Sequence, residues 1–84
     1  MITSGQCRAA RGLLGWSQQD LADHAGLGLV TVRNLELSVH EPRRATLEVI
    51  RRAFETAGIE LIDENGGGPG VRLRKRQRAK TPKA

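Results

Sequence analysis

One cysteine, one tryptophan, one phenylalanine and no tyrosine occur in this sequence. A single Cys7 cannot close an internal disulfide, so the fold must hold by packing alone, and such cysteine usage fits a reducing, cytoplasmic setting. With only Trp16 and Phe54 as aromatics, aliphatic side chains must build the core. No apolar run approaches the roughly 18 residues of a membrane span. The N-terminus has no basic stretch followed by an apolar one, the mark of a secretory signal. The 84 residues accommodate one domain plus a tail and bury only about 60% of the unfolded surface. That leaves no room for a substrate domain or a large cofactor cleft. No nucleophile–base pair and no paired carboxylates share a face, so the reading is non-enzymatic and without cofactor. Cys7, His24 and His40 match no zinc-ligand spacing, so no metal is expected. The Gly66–Gly70 stretch lacks the Lys-Ser/Thr and the following helix of a phosphate loop and reads as a turn.

Charge is unevenly spread. The formal net charge is +5, yet residues 71–84 hold seven cations and no acid. Residues 1–70 carry seven cations against nine anions. The folded part is therefore slightly acidic, and any argument for an anionic partner rests on where its cations sit. The run Lys75-Arg76-Gln77-Arg78-Ala79-Lys80-Thr81-Pro82-Lys83-Ala84 has no apolar periodicity and reads as a disordered basic tail.

The first 58 residues read as four helices. Thr3 with Gln6 forms a capping box opening a helix at Ser4, and Cys7, Ala10 and Leu14 mark its inner face. Ser17 with Asp20 opens a second helix over 18–25, with Leu21, Ala22 and Ala25 inward. Gly26-Leu27-Gly28 is a tight turn. A third helix spans Leu29 to Glu36 with Val32 and Leu35 inward. After a loop closed by Pro42, a fourth runs from Arg44 to Ala57 with Leu47, Ile50, Ala53 and Phe54 on one stripe, and Gly58 stops it. Ile59–Asp63 and Val71–Arg74 alternate and flank a glycine-rich turn, which reads as a β-hairpin.

The link between the second and third helices is too short for an antiparallel pair, so they must cross sharply as a helix-turn-helix. Small Ala22 allows close approach, Gly26 suits a left-handed backbone, and Leu27 fills the turn. The outer face of the third helix stays free, and a DNA major groove is wide enough to admit one helix.

The series Ser17-Gln18-x-x-Leu21-Ala22-x-x-Ala25-Gly26-Leu27, Thr31-Val32 and Leu35-Glu36 resembles the phage-repressor/Cro-like, XRE-type helix-turn-helix regulators over about residues 5–57. The segment Gly58–Leu73 also looks like the C-terminal extension of small bacterial members. The resemblance implies a mainly α, lambda-repressor-like helix-turn-helix domain over residues 1–58; the residue pattern adds the β-hairpin over 59–74, expected to dimerise, and the tail over 75–84. It implies that Gln18 binds a phosphate and braces the third helix. It places Leu29, Val30, Arg33 and Asn34 toward the bases, Thr31 and the Gly28 amide at phosphate-contacting or structural sites, and Arg43 on or near the DNA backbone. It pairs Arg11 with Glu36. Arg33 and Asn34 suit guanine and adenine, and Leu29 and Val30 offer apolar contact to thymine methyls. Gly28 replaces the usual serine or threonine, removing a cap and a phosphate-binding hydroxyl.

Ile59, Leu61, Ile62, Val71 and Leu73 carry apolar surface, and a lone hairpin is marginal in water. The expectation is that they pair across a twofold axis, giving a homodimeric repressor on a palindromic operator in double-stranded DNA. Three other readings share the sequence: an antitoxin-type regulator that holds a protein partner through its C-terminal segment, a protein-binding adaptor, and a nonspecific nucleic-acid binder driven by the tail.

Overall fold

The computed structural model describes residues 2–39 and 41–74. Four helices, α1 (Ser4–Leu14), α2 (Gln18–Ala25), α3 (Leu29–Leu37) and α4 (Arg44–Thr56), precede a hairpin of β1 (Ile59–Ile62) and β2 (Gly70–Leu73). The basic tail lies outside the described residues.

Capping accounts for the start of the first two helices. The Thr3 hydroxyl accepts from the Gln6 amide while the Gln6 side chain accepts from the Thr3 amide. Ser17 and Asp20 make the same exchange at α2. Both helices end on a left-handed glycine, Gly15 at φ 70° and Gly26 at φ 71°, a conformation glycine adopts without a Cβ penalty. Helix α3 runs one residue beyond the expected Glu36 and closes on Ser38 at φ 55°. No glycine marks that end, so the sequence pattern stopped short. Helix α4 ends at Thr56, with Ala57 as its C-cap and Gly58 left-handed behind it.

A single aliphatic core joins helices and hairpin. Cys7, Ala10, Leu21, Ala22, Val32, Ile50, Phe54 and Ile59 have no exposed surface. Trp16 is half-buried, sandwiched between His24 at 4.1 Å and Phe54 at 5.8 Å between ring centroids.

The strands pair antiparallel, with Ile59 opposite Leu73 and Leu61 opposite Val71. Directly opposed residues share a face and neighbours along a strand alternate. The register therefore divides the five residues expected at a dimer axis. Ile62 falls on the outer face with the Glu60–Arg72 ion pair, and the other four lie on the inner one. Ile59 and Leu61 are buried in the core, Val71 is half-buried against it, and Leu73, at the open end, stays 48% exposed. The hairpin is thus not left uncovered: its own helices bury Ile59 and Leu61 and partly cover Val71. The side chain of buried Gln6 secures it, donating to the carbonyls of Ile62 and Gly70, each at 2.9 Å.

Candidate nucleic-acid interface

Helix α3 is held from behind by one carboxylate. Glu36, with a side chain 2% exposed, accepts from Arg11 Nε at 2.6 Å and Nη2 at 2.8 Å. It also accepts from Gln18 Nε2 at 3.1 Å and from the Cys7 thiol at 3.2 Å. Arg8 donates to the Glu36 carbonyl oxygen. One residue of α3 thus ties that helix to both α1 and α2. Burial pushes the Glu36 carboxyl up, but hydrogen bonds from Arg11, Gln18 and Cys7 outweigh it and hold it below the usual range. Burial and the adjoining carboxylate push the Cys7 thiol far up, so it stays protonated and able to donate. The Arg11–Glu36 pair was legible by resemblance. Cys7, expected as plain core, and Arg8 were not. A signal existed: residues 8 and 11 are three apart and share a helix face.

With Val32, Leu35 and Glu36 turned inward, Val30, Arg33 and Leu37 remain exposed on the outer face. Val30 is 61% and Leu37 66% exposed. Leu29 and Asn34 are half-buried, so Leu29 is less available than the sequence alone implies. Thr31 is exposed. Together with Asn34, it lines a groove closed on the far side by Pro42, Arg43 and Thr46, with Glu41 on its rim. Gln18 lies half-buried in the first turn of α2, its amide engaged by Glu36. The structure thus brings Thr31, Asn34 and Arg43 together. Thr46 and Glu41 join them without having been singled out, because α4 and its preceding loop approach α3 only in the tertiary fold.

The starts of α3 and α4 differ from those of α1 and α2. Neither α3, capped by Gly28, nor α4, capped by Arg43, has a side-chain cap or an acid in its first turn. Four backbone N–H groups at each such end need partners, and the helix dipole makes these ends attractive to anions. Arg43 and Arg44 occupy the start of α4 against that dipole. The described ion pairs use Arg11, Arg51 and Arg72, and none uses Arg33, Arg43 or Arg44. The starts of α3 and α4 thus keep uncapped amides, and Arg43 at one of them lies across a groove from Thr31 and Asn34, features that suit an anionic phosphate.

Gly28 tests this directly. A Cβ there meets nothing within 4 Å, and its φ of −79° suits any residue. Gly28→Asp is expected to cap α3 and raise stability by about 0.5–1 kcal/mol. It should also weaken duplex binding roughly tenfold by setting a carboxylate against a phosphate. Paired thermal melts and binding titrations check both signs.

Among the described residues, no three His, Cys, Asp or Glu side chains gather to hold a metal ion. No described helix is long and apolar enough to cross a membrane. A protein-family model described as helix-turn-helix matches residues 8–61. No curated protein matches the chain.

Proposed function

Because this chain belongs to the helix-turn-helix family of DNA-binding transcription regulators, we propose that it is a sequence-specific repressor that binds a palindromic operator as a homodimer. The observation that carries the reading is the contrast between capped α1 and α2 and uncapped α3 and α4, with Arg43 at the start of α4 lining a groove against Thr31 and Asn34 of α3. In this reading the Gly28 and Arg43 ends, Thr31 and Gln18 hold phosphates and set register, whereas Arg33 and Asn34 read base edges. No cofactor is needed. Repression follows from occupying the operator. Cytoplasmic residence, where the DNA of a bacterium lies, completes the proposal.

Salt dependence tests the backbone contacts. Each phosphate neutralised contributes about 0.9 to the slope of log affinity against log salt. Arg43→Ala with Arg44→Ala is expected to reduce the slope by roughly two and to weaken all sequences alike. An unchanged slope would remove both arginines from the interface.

For the dimer, Leu73 is the exposed apolar side chain at the end of β2, with Val71 beside it on the same face. A second copy meeting there would set two α3 helices about 34 Å apart, one turn of DNA. The expected outcome in sedimentation is a concentration-dependent dimer that Leu73→Asp converts to monomer. A monomer for both chains would remove the hairpin from the interface.

A further inference from the structure

Gln6 is 4% exposed, and both ends of its side-chain amide are engaged. The oxygen accepts from the Thr3 amide at 2.9 Å, and Nε2 directs its two hydrogens to the carbonyls of Ile62 and Gly70. Ile62 and Gly70 oppose each other in the last register pair before the glycine-rich turn. The amide therefore clamps both strands at the turn end of the hairpin, away from Leu73 at its open end. The next residues of α1 serve another element: Cys7, Arg8 and Arg11 all bond Glu36 of α3. Helix α1 packs against both β2 and α3 and so links them. Burial of Ile59 and Leu61 presses the hairpin onto the helices, but apolar packing has no direction. Hydrogen bonds do have a preferred geometry, so the Gln6 fork sets the angle at which the hairpin stands on α1.

Resting on the homodimer reading in which two hairpins meet near Leu73, we infer that Gln6 is a positioning residue that fixes the half-site spacing the dimer accepts. In such a dimer each α3 is placed relative to the twofold axis through two joints. Gln6 joins the hairpin to α1, and Glu36 joins α1 to α3. One base pair more or less between half-sites shifts them by about 3.4 Å and turns them by about 35°. A hairpin held by directional bonds resists that turn. A hairpin held by packing alone tilts with it, and the dimer then follows the altered site.

The test uses the full chain and the duplex it enriches from a random library, with the centre of the site shortened or lengthened by one base pair. The native chain is expected to lose roughly a hundredfold in affinity at either altered spacing, the cost of about two mismatched base pairs. Gln6→Met keeps the side-chain volume and removes both donors. Gln6→Glu keeps an oxygen for the Thr3 amide but cannot donate to the two carbonyls. Both variants, checked as folded dimers by thermal melts and sedimentation, should lose less than about tenfold at the altered spacings. Ile50→Val loosens the core at a fully buried site without touching the clamp, and it should keep the native preference. A spacing preference unchanged in the Gln6 dimers, or failure of both variants to fold or dimerise, would overturn the inference and leave the dimer reading in place. A native chain that stays monomeric, or enriches a motif without twofold symmetry, would overturn the dimer reading itself.

Discussion

Glu36→Ala is expected to lower the unfolding free energy by about 3–5 kcal/mol, the usual cost of removing one partner of a buried ion pair. The carboxylate is almost fully enclosed and accepts four hydrogen bonds from Arg11, Gln18 and Cys7. Without it Arg11, only 19% exposed at its side chain, keeps a single described bond, to the Trp16 carbonyl. Small domains have about 5–15 kcal/mol in total, so about a fifth or more of the stability is at stake. Urea unfolding measures the loss. Glu36→Gln should fall between the two, since an amide keeps the volume but not the charge.

The same residue sets a pH signature. The folded Glu36 carboxyl lies below its usual value. Its contribution is therefore complete above the unfolded carboxylate pKa of about 4.3 and fades as pH falls through the lower folded value. The stability gap between the native chain and Glu36→Gln should be flat near neutrality and shrink in acid. A gap that persists undiminished to pH 2 would show that the charge is not what holds α3.

Arg33→Ala with Asn34→Ala is the second large effect, and it falls on binding. A good bidentate contact discriminates by about 1–3 kcal/mol. Losing two should cost about 2–6 kcal/mol on the operator, roughly thirtyfold or more. Arg33 is exposed and Asn34 half-buried, and neither belongs to the core, so the melting temperature should hardly move. Binding to unrelated duplex should survive, because phosphate contacts carry no sequence information. Equal losses on operator and unrelated DNA would assign both residues to the backbone.

Local chemistry makes the helices legible in the sequence itself. Thr3–Gln6 and Ser17–Asp20 are complete capping boxes, and Gly15 and Gly26 stand where a left-handed residue ends each helix. What escaped was tertiary. Gln6 was visible as a capping residue, but its second task, holding carbonyls 56 and 64 residues away, leaves no local pattern. Cys7 had the spacing of core, and its bond to Glu36 spans 29 residues. The hairpin was legible as two strands, but treating Leu61 and adjacent Ile62 as one surface overlooked the strand alternation that turns them to opposite faces. Arg43 was picked out by the resemblance. Its neighbours Thr46 and Glu41 required α4 to be seen against α3.

The central claim is that α3, not charge at large, confers DNA recognition. Selection from a random duplex library at near-physiological salt, with the full chain and a 1–74 truncation side by side, tests it most directly. The expected result is one twofold-symmetric motif for both proteins, with half-sites about one helical turn apart. No enriched motif from the folded full chain, or a motif lost on removing residues 75–84, would contradict it.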